Sequence, residues 1–350
     1  MKAILTFFAL GLLLLALLNW INQLPAESHA EVDEITGTLA RVPGHQAVLL
    51  GGSSAYAIDF RALCVDGVPF YHGAQDLFEV AALGDLILDR PNPPRYWFVE
   101  ASPTSQLVDN GSQAAEVTRP RRNLYRAMFA LGEHRLIGGD WRQAFIAFAA
   151  PSLGSAAWSP YFGRAKRLLG MGGRSETELE VTGLRLSAAA SAANAAEEAS
   201  ERRQALRAML YYDPDIAARA EAALQALNAR IRAQGGVMIL VVPPNPEATR
   251  TATLAQMPRE VAEFGQILRR LANRGAVIAN YWSLPLSGHA ELFRDPMHLN
   301  RWGAPLFSRQ MGADLRAHHV LPPAPPGCSA GGAASISPPG QIGRDSRRRL

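Results

Sequence analysis

At 350 residues with 48% hydrophobic side chains, the chain can bury a sizeable core, which excludes global disorder and leaves room for one large domain or two small ones. Its net charge of +4 sits mostly at one end: Arg344, Arg347, Arg348 and Arg349 against Asp345 contribute +3 of it, so no basic groove for nucleic acid is implied. Two cysteines, Cys64 and Cys328, make neither a disulfide framework nor a metal cluster, and Cys64 reads as a small core residue.

Ala3 to Leu18 carries no charge and only Thr6 as a polar side chain. With the residues up to Ile21, the stretch is of the length, roughly 20 residues, that crosses a bilayer. Lys2 would keep the short end cytoplasmic and Trp20 would sit at an interface. Ser28-His29-Ala30 offers a cleavage site, so residues 1–21 are read as a transmembrane anchor or a signal peptide. Both readings put the remainder on the periplasmic or extracytoplasmic side of the cytoplasmic membrane. Residues 22–44, polar with Pro25, Gly37, Pro43 and Gly44, read as a stalk.

A first strand is predicted at Ala47–Leu50, ending abruptly in Gly51-Gly52-Ser53-Ser54. A second strand at Val68–Tyr71 ends at His72-Gly73. The apolar spacing of residues 75–88 predicts a helix with a broad buried face, broken by Pro91, Pro93 and Pro94 ahead of a third strand, Tyr96–Val99. A helical insert follows at about 102–234. Its aromatic set (Tyr125, Phe129, Trp141, Phe145, Phe148, Trp158, Tyr161 and Phe162) reads as core under a lid. Ser187–Ala199, rich in alanine, reads as a poorly packed or mobile connection, and Ile216–Arg232 as a better helix. Val237–Val242 is a strong buried strand, stopped by Pro243-Pro244-Asn245-Pro246; a helix at Glu260–Arg274 and a last strand at Ala276–Tyr281 complete the pattern.

Strands separated by crossovers too long for hairpins predict an α/β fold: a three-layer, mostly parallel five-stranded sheet with helices on both faces. Residues 45–320 form that domain, and 321–350 form a disordered tail. In such sheets chemistry gathers at the carboxyl ends of strands. Ser54, Gly73, Ser102 and Asn245 all lie at or just beyond predicted strand ends. A serine at a strand-to-helix turn needs a base to take its proton, and the base needs a carboxylate to fix its tautomer. His298, with Asp295 three residues earlier, supplies both. The predicted triad is Ser54, His298 and Asp295, with Ser53 as the alternative nucleophile. No Gly-Lys-Ser/Thr follows the glycines, so the turn is not a phosphate loop; Tyr56 in place of a second glycine departs from the Gly-x-Ser-x-Gly elbow. His72 lies close enough to contact substrate, whereas His45, His134, His289, His318 and His319 lack metal-ligand spacing. No metal or cofactor is called for.

Gly52-Ser53-Ser54 at the first strand end, together with Asp295-Pro296-Met297-His298-Leu299-Asn300-Arg301-Trp302-Gly303-Ala304, resembles the SGNH (GDSL-like) hydrolase superfamily. More narrowly it resembles the membrane-anchored, cell-envelope branch that includes DltD and the alginate O-acetylation proteins. The resemblance spans roughly residues 45–320. It implies a flavodoxin-like SGNH hydrolase fold, Ser54 as nucleophile, His298 as base, Asp295 as orienting carboxylate and Gly73 as a second oxyanion donor. It also implies an exported serine esterase or O-acyltransferase acting on an envelope or secreted polysaccharide, with the acyl group supplied by a membrane-bound acyltransferase. The family's Gly-x-Asn-Asp box is replaced here by Glu100-Ala101-Ser102-Pro103-Thr104, and Asn245 either reaches the site or caps its own turn. That departure leaves a non-catalytic binding or assembly subunit as the other reading.

Overall fold

The computed structural model describes residues 2–22, 26–112, 114, 119–148 and 182–328. In chain order, α1 (Lys2–Asn22) and α2 (Ala26–Arg41) precede β1 (Ala47–Leu50), a 3-10 turn at Ser53–Ala57, α3 (Phe60–Leu63) and β2 (Gly67–Pro69). Then come α4 (Leu77–Leu88), β3 (Tyr96–Glu100), α5 (Arg119–Ala130), α6 (Trp141–Phe148), α7 (Ala188–Tyr212) and α8 (Ile216–Ala233). The remainder is β4 (Val237–Val242), α9 (Glu247–Gln256), α10 (Pro258–Asn273), β5 (Val277–Asn280) and α11 (Gly303–Ala317).

The five strands form one sheet in the order β2-β1-β3-β4-β5, every pair parallel. Alternate strand residues point to opposite faces. One set, including Leu49, Phe98, Ile239, Val241 and Ala279, packs into a core with Phe60, Leu63, Phe307, Met311 and Leu315 of α3 and α11. The other set, including Val48, Leu50, Trp97, Val99, Leu240 and Val242, is buried as well, and α8 and α10 run against β4 and β5. Burial on both faces explains why these strands read as continuous apolar runs. The predicted three-layer α/β architecture is the one observed. β1 connects to β2 on one side while β3 lies on the other, so the sheet changes direction between β1 and β3; that switch point is where such sheets carry ligands.

The chain divides into two compact units, one of residues 41–109 with 176–350, holding the sheet, and one of residues 1–40 with 110–175. In the second unit α5 packs on α6. Fully buried Arg121 stands 3.5 Å from the Asp140 carboxylate. The Tyr125 hydroxyl accepts the Ile137 N–H (3.0 Å) and donates to the Asp140 carbonyl (2.8 Å). Of the aromatic set predicted as core, Tyr125 is buried but Phe129, Trp141 and Phe145 are exposed; Trp158, Tyr161 and Phe162 lie outside the described residues.

Three further expectations are corrected. The stretch read as a stalk contains the helix α2, with Ile35, Thr38 and Leu39 buried, because its few apolar residues recur at helical spacing. The alanine-rich stretch read as a loose connection is the start of α7, 25 residues long and capped by the Ser187 hydroxyl on the Ala190 N–H; alanine is the best helix former. Cys64 is paired with Cys328 in a disulfide rather than packed as a free thiol, which ties residues 321–328 of the predicted tail to the sheet unit; residues 329–350 lie outside the described set. For the predicted anchor, the chain is helical over Lys2–Asn22, with Phe7, Leu12 and Leu13 exposed. Among the described residues no helix is long and apolar enough to cross a membrane.

Candidate functional site

The chain leaves β1 at the switch point through two glycines. Gly51 lies directly against Glu100, the last residue of β3: a Cβ on Gly51 would stand 2.6 Å from the Glu100 Cβ, so only glycine allows the approach. Leaving the sheet strips two backbone N–H groups of strand partners, and side chains from neighbouring elements take both. Gly51 N–H donates to Gln75 Oε1 (2.7 Å) and Gly52 N–H donates to Glu100 Oε2 (3.0 Å). The chain then coils into the 3-10 turn, closed by the Ala55 N–H on the Gly52 carbonyl (3.0 Å).

The hydroxyl this turn presents to the histidine belongs to Ser53. Its Oγ lies 2.7 Å from His298 Nε2. Ser54 was the predicted nucleophile. It sits one residue further along the same turn, and among the described residues its hydroxyl has no bond to the imidazole. A tight 3-10 turn rotates successive side chains by about 120°, so two adjacent serines cannot both face one ring.

His298 comes from a loop with its own internal frame. Phe293 and Leu299 form an isolated antiparallel bridge, and the Arg294 N–H bonds the His298 carbonyl (2.9 Å). Within this loop Asp295 Oδ1 accepts the N–H groups of Met297 (2.8 Å) and His298 (2.9 Å), the local turn that aspartate side chains favour. The same carboxylate meets His298 Nδ1, with both oxygens at 2.8 Å. An Nδ1–H donated to Asp295 leaves the Nε2 lone pair facing Ser53. Burial alone would raise the Asp295 carboxyl; the hydrogen bond to His298, the charge on that ring and the two backbone N–H groups outweigh it and hold the group below its ordinary range.

Asn300 anchors the loop from behind. Fully buried, it donates to the carbonyls of Leu184 (3.0 Å), Glu291 (2.8 Å) and Phe293 (3.3 Å) and accepts the N–H groups of Trp302 and Gly303 (both 3.0 Å). It therefore ties the entry of α11 to the histidine loop. Gly303 lies in tight contact with the Leu292 carbonyl, leaving no space for a Cβ.

The other predicted site residues are placed as follows. Asn245 is engaged with the loop: its Nδ2 donates to the Met297 carbonyl (3.3 Å) and its Oδ1 accepts the Trp282 indole N–H (2.8 Å). It ties the loop that bears Asp295 and His298 to Trp282. Gly73 is exposed on the β2–α4 loop, two residues from Gln75, whose carbonyl would lie 3.4 Å from a Cβ on Gly52. That loop thus runs beside the serine turn. His72 Nδ1 stands 3.5 Å from the Gly73 carbonyl, too long for a strong hydrogen bond.

Four residues beside the site were not singled out in the sequence. Gln75 and Glu100 hold the serine turn. Arg294 spans both sides, its Nε 3.4 Å from Asp295 Oδ2 and its guanidinium 5.5 Å over the Tyr56 ring. Arg202 of α7 reaches Thr104 Oγ1 (3.4 Å), pairs with Glu198 (3.2 Å) and touches the Met297 sulfur. Glu100 had a legible signal, a charge closing an otherwise apolar strand; Arg202, in a long alanine-rich helix, had none. No family model and no curated protein matches the chain.

Proposed function

We propose that this chain is a serine esterase or O-acyltransferase. The observation that carries the reading is the continuous relay from Ser53 Oγ through the His298 ring to the Asp295 carboxylate at the switch point of the sheet. His298 Nε2 takes the Ser53 proton as Oγ attacks the ester carbonyl. As the tetrahedral species collapses, the ester C–O bond breaks and His298 returns the proton to the leaving alkoxide, leaving an acyl-enzyme. Water or a sugar hydroxyl then attacks, its proton passing to His298 and on to Ser53 as the serine is released. Asp295 stays ionised and stabilises the imidazolium; the Ser53 and Gly73 N–H groups are the proposed donors to the oxyanion.

The acceptor we propose is a cell-envelope or secreted polysaccharide, and the acyl donor one supplied by a membrane-bound acyltransferase. Both follow from the likeness of the serine turn and the Asp295–Ala304 segment to the membrane-anchored SGNH branch. The uncharged run Ala3–Leu18 of the sequence is the support for export and a single-pass tether, which suits an immobile polymer. A non-catalytic binding subunit is the second reading, favoured by the engagement of Asn245 with Met297 and Trp282.

The test is reaction of the full-length chain with a fluorophosphonate, in which Ser Oγ forms a bond to phosphorus and fluoride departs. Peptide mapping should find the adduct on Ser53. Ser53→Ala and His298→Ala should abolish it, and Ser54→Ala should retain it. A folded protein that takes no label, or takes it on Ser54, would overturn this assignment.

A further inference from the structure

Glu100 closes β3 beside the serine turn, and a carboxylate there opposes the negative charge that acyl transfer develops. Its surroundings are specific. Its side chain fills the space beside Gly51, its Oε2 accepts the Gly52 N–H at 3.0 Å, and it is 6% exposed. Gly52 is the residue immediately before the nucleophile, so the carboxyl group holds the last backbone unit ahead of Ser53.

We propose that Glu100 is the positioning residue of the serine turn and does this work as the neutral acid, its carbonyl oxygen accepting the Gly52 N–H while no charge opposes the oxyanion. This rests on the serine chemistry proposed above. A neutral carboxyl keeps one oxygen as an acceptor, so losing the charge does not cost the anchor. Burial pushes the group from 4.5 up to about 7, against the Gly52 N–H and the Arg202 charge, which pull it down.

The groups around Glu100 define what else titrates or carries charge there. From the turn side it meets Gly51 and Gly52, with the neutral Gln75 amide holding Gly51. From α7 the cation is Arg202, itself paired with Glu198. On the flanking strands, β1 and β4 carry only apolar side chains. Asp76 and Glu79, next along from Gln75, are tied to each other in the capping box of α4. His298 and Asp295 stand beyond Ser53.

The experiment is the pH profile of Ser53 phosphonylation in the full-length chain. Rate should fall by about tenfold or more as pH rises and Glu100 ionises, the scale of one charge set against a developing oxyanion. Glu100→Gln keeps the acceptor and the shape but cannot ionise, so its profile should lack that fall. Arg202→Met removes the cation that favours ionised Glu100 and should move the fall to higher pH; it tests the idea even where the Gln variant does not fold. A wild-type profile without the fall, a Glu100→Gln profile that retains it, or an Arg202→Met profile displaced the other way would overturn the proposal while leaving the triad standing. Absence of label on Ser53 at every pH would instead remove the triad and this inference with it.

Discussion

The two sides of the candidate triad are held by opposite means. The serine side depends on acceptors reaching in from elsewhere: the Gly51 and Gly52 N–H groups are met by Gln75 and by Glu100. The histidine side is framed from within, by the Phe293–Leu299 bridge, the Asp295 turn and the Asn300 amide. Their carboxyl groups shift in opposite directions. Glu100 is raised because burial dominates, and Asp295 is lowered because the histidine and two backbone donors outweigh its burial. For Glu100 one backbone donor and the Arg202 charge do not offset burial, whereas Asp295 is held by the imidazole and two backbone N–H groups that do. The serine turn therefore carries the carboxyl whose proton is lost near neutral pH, whereas the Asp295 carboxylate stays ionised there.

The strongest way to break the histidine side is Asp295→Asn. The amide keeps the size of the side chain but no longer favours an Nδ1–H on His298, so the phosphonylation rate should fall by about 10⁴-fold with the fold retained. A fall of less than about tenfold would show that Asp295 only shapes the loop.

The two sides are joined behind the site. Ser308 of α11 accepts the Asp59 N–H (2.8 Å) and donates to the Ala57 carbonyl (3.0 Å). Arg316 of α11 donates to the carbonyls of Leu63 (2.7 Å) and Cys64 (3.1 Å), and Cys64 carries the disulfide to Cys328. That bond closes a loop spanning 264 residues of sequence, for which loop entropy sets an upper stabilisation of about 5 kcal/mol. Reduction, or Cys64→Ser with Cys328→Ser, should lower the urea midpoint accordingly. An unchanged midpoint would mean that Arg316 and Ser308 suffice to hold the seam.

The contrast between the two carboxyls also predicts stability against pH. A raised carboxyl binds its proton more tightly in the folded state, so Glu100 costs nothing below about 4.5, and stability drains away as pH climbs to about 7. Glu100→Gln should match the wild type near pH 4 and exceed it by up to about 3 kcal/mol at pH 8. Asp295 works the other way: its contribution is present above 3.8 and is lost as pH falls through its lower folded value. Urea denaturation at the two pH values separates these effects; equal gains at both would show that Glu100→Gln acts through packing alone.

The smallest expected effect is that of Asn245→Ala, which removes one tie on the Met297 carbonyl and one on Trp282. The cost should be about 1 kcal/mol in stability, with phosphonylation slowed by about tenfold or less because Asp295 still frames the loop. A loss as large as that of Asp295→Asn would make Asn245 an oxyanion donor after all.

Much of this was legible along the chain. β1 and β4 lie where their apolar runs predict, and the other three strands differ by a residue or two at their ends. Asp295 and His298 are three residues apart in one loop, so their pairing is a local event that spacing alone can foresee. Ser53 against Ser54 was a different question. Two adjacent hydroxyls on one short turn differ only in direction, and that direction is set by where Gln75 and Glu100 pin the two glycines. Glu100 was visible as a charge at a strand end, but its depth depends on Gly51 having no side chain and on α7 crossing nearby.

By itself, then, the sequence determined the alternating strands and crossovers, the parallel sheet they require, and the two segments that bear hydroxyl and imidazole. These follow from local periodicity and from residue types that act within a few positions of one another. Tertiary structure alone decided which serine meets His298, that Asn245 serves the histidine loop, that Arg202 reaches Met297, and that Cys64 finds Cys328. Each of those joins residues tens to hundreds of positions apart, and their meeting depends on how helices settle on the sheet, which no local pattern encodes.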